Sequence, residues 1–137
     1  MMLEKMVTWL QTFPKWEDSI CIDYVDAAPG STGLYPKGLR ELSRREDVLG
    51  NLEVRCRYDF LLRRNAGNRE ENAKWLLEFQ SWVMEQDRLG LAPKFGDAPK
   101  TERIRAFDGQ LHSHAQVGNT MYTVLLSTEF TKIYRGE

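Results

Sequence analysis

The chain has 137 residues, of which 42% are hydrophobic and 28% charged, a composition that provides for a buried core and excludes a largely disordered protein. Its 19 basic and 20 acidic residues give a net charge of −1, which argues against a dedicated nucleic-acid binder that relies on summed positive charge. Apolar runs such as residues 124–126 are too short to cross a membrane, and the N-terminal segment lacks the basic and apolar regions of a secretion signal. We therefore expect one domain over residues 1–137, working in a cytoplasm or in something assembled there.

The first quarter of the sequence predicts a helix, a short strand and a loop. Apolar residues recur at helical spacing from Leu3 to Phe13, and Pro14 ends this pattern. Residues 20–25 alternate as in a short strand, and residues 27–33 are rich in turn formers. That stretch is too long for a tight turn, so we expect an exposed loop, where binding function often lies.

Residues 52–64 carry the clearest pattern in the chain, that of a strand with one buried and one solvated face. Its apolar face comprises Leu52, Val54, Cys56, Tyr58, Phe60 and Leu62. Charged residues lie between them, and only Leu61 is out of phase. Leu39 and Leu42, three apart rather than two, predict a bulged strand before it. Gly50-Asn51 predicts the turn that joins the two strands into an antiparallel hairpin.

A long helix and a second hairpin complete the predicted fold. Residues 68–71 form a capping-box pattern, residues 73–83 carry a broad apolar stripe, and Gly90 is a good C-terminal stop. The chain is strand-like again from Ile104, and residues 118–119 predict a turn into a last alternating strand. The order helix, strand, hairpin, helix, hairpin indicates an α+β fold in which two helices pack against one mainly antiparallel sheet.

No arrangement of residues is typical of an enzyme. His112 and His114 share a face if they lie on a strand, but two imidazoles need a third metal ligand, and none lies at suitable local spacing. Ser113 would point to the opposite face. The glycines of residues 27–33 are not followed by the Lys-Ser or Lys-Thr pair of a phosphate loop. We therefore expect no catalytic residue, no cofactor, no bound metal and no small-molecule substrate.

The two cysteines, Cys21 and Cys56, both lie in alternating apolar stretches. We expect buried thiols in a reducing compartment, because free Cys behaves as a small hydrophobic residue. A disulfide between neighbouring strands is the alternative.

Seven arginines concentrate on the first predicted hairpin and alternate with acidic residues. They are Arg40, Arg44, Arg45, Arg55, Arg57, Arg63 and Arg64. Opposite charges across a sheet stabilise it modestly, so pairing within the sheet or with a neighbouring subunit competes well against nucleic-acid binding. We favour a surface that contacts protein. Trp75 and Trp82 lie on the apolar side of the long helix, and we expect them to anchor the core or an interface rather than stack on bases.

Six segments of the sequence together carry a resemblance to a known family. They are residues 33–36, 41–51, 54–58, 73–80, 91–97 and 122–124. They resemble small proteins of phages and prophages of Gram-positive bacteria that are named minor capsid proteins, and the resemblance covers essentially the whole chain. None of the segments is a catalytic signature. The predicted element order is also similar to that of tail terminator proteins of long-tailed phages, which is an analogy at the level of the fold.

The resemblance implies a structural protein of the phage head–tail junction. Tail terminators are small α+β subunits that form a ring, usually of six, which ends tail-tube polymerisation and offers a docking face to the head connector. The implied partners are further copies of the chain, the tail tube protein and the head–tail connector protein, in the virion and, during assembly, in the host cytoplasm. A head-completion component is the alternative. A nucleic-acid-binding module that uses the arginine-rich hairpin is the alternative of another class.

The expected assembly interface lies on the hairpin at residues 39–64 and on the loop at residues 29–36. Its candidate residues are Tyr35, Arg40, Arg44, Arg45, Arg55 and Arg57. Arginine suits bidentate pairing with carboxylates, and complementary charges set the register between subunits. We expect replacement of Arg55 and Arg57 by Glu to leave the fold intact and to impair assembly, because both side chains are predicted to point away from the core.

Overall fold

The computed structural model describes residues 2–16, 20–22, 32–66, 69–114 and 119–136, with the backbone alone at 21–22, 65–66, 69–72, 108–114 and 119–122. These residues form two α-helices, five strands and one short 3₁₀ turn. In chain order they are α1 (Met2–Leu10), β1 (Ile20–Ile22), β2 (Thr32–Glu46), β3 (Leu52–Ala66), α2 (Arg69–Arg88), the 3₁₀ turn (Pro99–Thr101), β4 (Arg103–His114) and β5 (Asn119–Tyr134). The predicted order of helix, strand, hairpin, helix and hairpin is confirmed.

The five strands form one sheet in the spatial order β1-β2-β3-β5-β4. The pairs β2–β3, β3–β5 and β4–β5 are antiparallel, whereas the short strand β1 runs parallel to the start of β2. The fold is therefore α+β with a mainly antiparallel sheet, as the sequence predicts. Neither helix in the described part of the chain has both the length and the apolar character needed to span a membrane.

Both helices cover the same face of the sheet, which we call the inner face. The alternating residues of β3 supply its centre, with Phe60 fully buried and Leu62 2% exposed. The stripe of α2 packs there through Phe79 and Val83, both fully buried. The predicted strand and helix stripes thus form a single core. The fully buried side chains at its centre include Met6, Leu10, Leu34, Phe60, Phe79, Val83 and Leu126.

Aromatic rings join the two helices to each other. Trp9 of α1 lies against Trp82 of α2 with ring centroids 4.7 Å apart, and its Nε1 donates to the carbonyl of Leu91 at 2.8 Å. Phe13 packs edge-on against Phe79 at 5.5 Å. Such rings bury large areas and prefer tilted or edge-to-face contacts. The tryptophans of α2 are therefore core anchors rather than base-stacking platforms.

The first helix ends earlier than its apolar pattern predicts. It stops at Leu10, and Phe13 lies in the following turns, where its amide donates to the carbonyl of Leu10 at 3.1 Å. The Thr12 hydroxyl donates to the Trp9 carbonyl at 2.6 Å and so competes with a further helical turn. Phe13 is nevertheless 5% exposed and belongs to the core. The spacing identified the buried residue correctly but not the end of the helix.

The first hairpin is long and twice bulged. The register of β2 against β3 shifts between Pro36 and Gly38 and again between Glu41 and Ser43, which confirms the predicted bulge. The predicted turn is also confirmed, since Gly50 has a φ of 83° and its amide donates to the carbonyl of Asp47 at 3.1 Å. A left-handed φ of this kind costs glycine little and other residues much more.

The connector between α2 and β4, residues 89–102, lies along the part of β5 that extends beyond the start of β4. Asp97 donates its amide to the carbonyl of Thr131 at 2.7 Å and accepts the amide of Ile133 on its carboxylate at 2.8 Å. Gly96 is required here because a Cβ at its position would lie 2.3 Å from the Thr131 carbonyl oxygen. The connector therefore supplies hydrogen bonds that a sixth strand would otherwise make.

A buried carboxylate holds this connector to the start of β4. Glu102 is 3% exposed, and its Oε1 accepts the amides of Phe95 at 3.1 Å and Gly96 at 2.7 Å. Phe95 then packs edge-on against Phe130 at 5.8 Å. Before this segment, α2 ends at Arg88 just ahead of the predicted Gly90 stop.

One prediction about the N-terminal half needs correction, and one alternative is excluded. Residues 32–36 belong to β2 and not to a loop, with Thr32 and Leu34 fully buried; the rest of the predicted loop lies outside the described residues. A disulfide is also excluded, because Cys21 pairs with Gly33 and Gly33 with Arg63, seven residues along β3 from Cys56. At about 3.4 Å per residue, that is roughly 24 Å.

Candidate assembly surfaces

The sheet face opposite the helices, here called the outer face, has no helix over it in the described residues. Its side chains follow from the register of β2, β3, β5 and β4. They include Tyr35, Arg40, Arg45, Glu53, Arg55, Arg57, Asp59, Leu61, Arg63, Arg105, Phe107, Leu125, Ser127, Glu129, Thr131 and Ile133. The face combines six arginines, three acidic residues and a centre of half-buried apolar side chains. Such a mixture is typical of a surface that meets protein.

The two bulges of β2 decide which candidate residues share this face. Simple alternation would separate Tyr35, Arg40 and Arg45, which are five residues apart, onto different faces. Each bulge inserts one extra residue and reverses the alternation, so all three come to the outer face. Arg55 and Arg57 of β3 join them. The structure thus brings five of the six predicted site residues together.

Arg44 is the exception among the predicted site residues. It lies opposite Val54 in the register and therefore on the inner-face side of the hairpin, beyond the reach of the helices. It pairs with Glu41, with its Nε at 3.0 Å and its Nη2 at 2.6 Å from Oε1. This hydrogen bond and charge raise the pKa of Arg44. The bulge between Glu41 and Ser43 explains the difference, and alternation alone does not reveal it.

The arginines of β3 are partly engaged within the subunit. Arg57 Nε lies 2.9 Å from the carboxylate of Asp59, and the Arg57 guanidinium is 6.0 Å from the ring centre of Phe107. Arg55 donates to the hydroxyl of Thr131 at 3.1 Å and lies 3.7 Å from Glu129. The side chain of Arg55 is only 24% exposed and that of Arg57 only 26%. These internal pairs leave fewer cations free for a phosphate backbone.

Arg40 has a different environment from the arginines of β3. It is exposed, makes no hydrogen bond or ion pair to a described residue, and lies directly opposite Arg57 in the register. Like charges directly opposite each other destabilise a sheet. A partner that brings a carboxylate to this position would relieve the repulsion.

Arg64 was grouped with the surface arginines, and this grouping is wrong. It lies on the inner-face register after Leu62 and is 8% exposed. Its guanidinium lies 4.4 Å from the ring centre of Trp75, a cation–π contact at the edge of the core. Arg63, by contrast, lies on the outer face, 5.1 Å from the ring centre of Tyr35.

Residues 37–51, which we call the hairpin arm, comprise the exposed edge of the sheet along β2 and the turn at its end. Every residue of β2 from 37 to 46 is exposed, on both faces of the strand. Leu39 and Leu42, which predicted this strand, are 56% and 44% exposed. At the tip, Val48 is fully exposed and Leu49 is 74% exposed. Apolar residues at a turn are unusual, because turns favour Gly, Asn, Asp, Ser and Pro.

The tip of the arm is held in one conformation by Asp47. Its Oδ1 accepts the amides of Leu49 at 2.8 Å and Asn51 at 3.0 Å, and its Oδ2 accepts the side-chain amide of Asn51 at 3.0 Å. The side-chain and backbone hydrogen bonds from Asn51 lower the pKa of this carboxyl group. The two apolar side chains between Asp47 and Gly50 are therefore presented on an ordered turn.

A groove of about 730 Å³ lies between α2 and the edge strand β4. Its walls include Leu77 and Met84, which are 67% and 73% exposed, and Phe107. Asp87 joins the two walls, accepting from the guanidinium of Arg103 at 3.0 and 2.7 Å and from the amide of Ile104 at 3.0 Å. The hydrogen bond and the charge of Asp87 raise the pKa of Arg103.

Sequence reasoning did not identify the groove or the apolar tip as sites. The available signals were Leu77 and Met84, seven residues apart on the helix face away from the core stripe, and Val48-Leu49 within a predicted turn. Both are apolar residues at positions where the pattern requires polar ones. Such exceptions mark surfaces that need a partner.

The described residues offer little chemistry. No three side chains of His, Cys, Asp or Glu among them lie close enough together to hold a metal ion. His112 and His114 lie on β4 opposite Met121 and Asn119, but their side chains are outside the described set, so the prediction about them stays a prediction. Cys56 is a free, buried thiol, and its burial raises the pKa of that thiol.

Comparison with known proteins adds no identity to this geometry, since no family model and no curated protein matches the chain.

Proposed function

We propose that this chain is a structural protein of the phage head–tail junction that acts as a tail terminator by assembling into a ring. The observation that carries the proposal is the hairpin arm, which is exposed on both faces and ends in two apolar side chains on an ordered turn. An isolated subunit gains little from exposed apolar side chains at the end of an exposed edge strand. A subunit of an assembly can use them to contact a neighbour.

The outer face supports the same function. It has no helix over it among the described residues and carries five of the six predicted site residues. Among them Arg40, which has no carboxylate partner in the described part of the chain, lies opposite Arg57, which pairs with Asp59. A closed ring needs two different patches on each subunit, and a terminator needs further faces for the tail tube and the head connector. The outer face, the arm and the α2–β4 groove together provide surfaces for these partners. The protein would then occur in the virion and, before that, in the host cytoplasm.

The test is deletion of the gene from an inducible prophage, followed by electron microscopy of the lysate. A protein that ends tail polymerisation should, when absent, leave tail tubes of uncontrolled length that carry no heads. Complementation with the parent chain should restore tails of uniform length.

The same experiment separates the head-completion alternative. Loss of a head-completion component should leave tails of normal length beside heads that lack them. Normal virions after deletion would contradict both roles. The arginine pairs of β3 argue against the nucleic-acid-binding alternative, because Arg55 and Arg57 already have acidic neighbours in the subunit.

A further inference from the structure

We propose that the tip of the hairpin arm of one subunit packs into the α2–β4 groove of a neighbouring copy of the same chain. This inference rests on the proposed ring assembly and specifies its contact. Because the tip and the groove are different patches, the interface between two subunits is heterologous. Repeating it joins subunits head to tail, and the chain of subunits closes into a ring if the rotation between neighbours permits.

The tip has the properties of a preformed ligand. Val48 and Leu49 project from a turn that Asp47 fixes through hydrogen bonds to two backbone amides. A segment already ordered in the free subunit loses little conformational entropy on binding. The apolar pair therefore retains most of the free energy that its burial provides.

The groove has the properties of a receptor for such a pair. Its volume falls in the range of roughly 300–1,000 Å³ that is typical of binding pockets. Leu77 and Met84 of α2 contribute apolar surface to its lining, and an exposed Met adapts its shape to an incoming side chain.

The arm cannot fill the groove of its own chain. At the near end of the groove, Ile104 pairs with Thr128, and Thr128 with Tyr58, six residues along β3 from Leu52, which follows the turn. At about 3.4 Å per residue, the turn lies roughly 20 Å or more from the groove. Within an assembly of this chain, the tip that occupies the groove therefore has to come from a second copy.

Charge at the two surfaces favours the same pairing. Glu46, two residues before Val48, makes no hydrogen bond or ion pair to a described residue, and its charge acts more weakly than that of Glu41 on Arg44. Arg105 on the wall of the groove likewise makes none within the described part of the chain. An ion pair between them would set the register of the tip in the groove, since charged pairs across an interface contribute specificity.

Cross-linking tests the contact directly. In a background carrying Cys21→Ala and Cys56→Ala that assembles like the parent, Val48→Cys subunits are mixed with Met84→Cys subunits and treated with a short bis-maleimide. We expect covalent dimers only in the mixture, joined through positions 48 and 84 as identified by mass spectrometry. Oligomers that give no such dimer, or dimers joined through position 48 of both chains, would overturn the inference and leave the ring proposal standing.

A charge exchange tests the register. Glu46→Arg and Arg105→Glu should each weaken self-association about tenfold, and the double variant should recover most of the loss. If the double variant lost as much self-association as the two single variants together, the arm–groove contact would be contradicted, but the proposed ring assembly would not.

Substitution of the tip is a separate test. Val48→Asp with Leu49→Asp should abolish association, whereas the matched control Leu89→Asp with Leu91→Asp, also at exposed apolar residues, should not. A parent chain that stays monomeric by light scattering, even with tail-tube subunits present, would instead contradict the proposed function.

Discussion

The first hairpin has one region that the helices cover, around Phe60 of β3, and one region that no described helix covers, at residues 37–46 of β2. The two regions belong to continuous strands, but their surroundings differ completely. Where β3 crosses under the helices, Phe60 is fully buried and stacks with Tyr58 at 4.6 Å. Farther along β2, the strand residues 37–46 of the arm are exposed on both faces, and within the described part of the chain they are stabilised by pairing with β3 and by local hydrogen bonds. The difference shows that alternation defines the two faces of a strand but does not indicate whether another element covers either face.

The largest expected effect lies in the covered region. Phe79→Ala should lower the free energy of unfolding by about 3–5 kcal/mol, because it opens a cavity under fully packed aromatic rings. Leu77→Ala, two residues away on the exposed side of α2, should change it by less than about 0.5 kcal/mol. Denaturant unfolding of both variants measures the contrast. Equal losses would mean that α2 does not separate core from surface as described.

The covered region was predictable from the sequence, because the apolar residues that recur with the strand period in β3 and with the helix period in α2 are the ones that are buried. Residues two apart on β3 and three or four apart on α2 point to one core, so the fold class and the stripe containing Phe79 follow directly. The end of α1 at Leu10 was not predictable from apolar spacing, because Phe13 is buried in the core although it lies beyond the helix.

The site was less predictable than the fold. The sequence located the arginine-bearing hairpin, but the positions of Arg44 and Arg64 depend on a bulge and on the end of the helix-covered region. The groove needed three-dimensional information, since Met84 and Phe107 come from different elements. Exposed apolar residues were the one available signal, and they carry meaning only after the core has been assigned.

The second prediction concerns the connector that borders the covered region. Glu102→Ala should destabilise the protein by about 2–4 kcal/mol, because the buried amides of Phe95 and Gly96 lose their acceptor. Glu102→Gln should cost much less, since it keeps one acceptor oxygen and removes a buried charge whose Oε2 has no hydrogen-bond partner among the described atoms. Thermal unfolding compares the two variants. If Gln and Ala were equally harmful, the negative charge and not the acceptor would be the stabilising feature.

The third prediction contrasts free and engaged arginines on the outer face. Arg40→Glu should stabilise the subunit by a few tenths of a kcal/mol, because it replaces the repulsion with Arg57 by an attraction. The pair Arg55→Glu and Arg57→Glu should instead cost about 1 kcal/mol, because it places carboxylates beside Glu129 and Asp59.

Both sets of variants should keep the fold and impair assembly, and unfolding followed by light scattering separates the two effects. Lys5→Glu, an equal charge change at an exposed residue of α1 on the helix-covered side of the sheet, serves as the control. Assembly at parental strength by the Arg40→Glu variant would mean that Arg40 is simply solvated.

The smallest expected effect lies at the tip of the arm, where one carboxylate holds the turn. Hydrogen bonds from Asn51 lower the pKa of Asp47, so the folded arm favours the ionised form. A group with a lowered pKa contributes stability at pH values above its unfolded pKa and loses it as the pH falls through the folded pKa. The amide chemical shifts of Leu49 and Asn51, which donate to Asp47, should therefore titrate with a midpoint below the ordinary aspartate value of 3.8. In the Asn51→Ala variant, which removes the side-chain donor, the midpoint should rise toward the ordinary value. A midpoint at or above 3.8 in the parent chain would show that the turn is not held by this carboxylate, and that the tip is not the preformed projection on which the arm–groove contact depends.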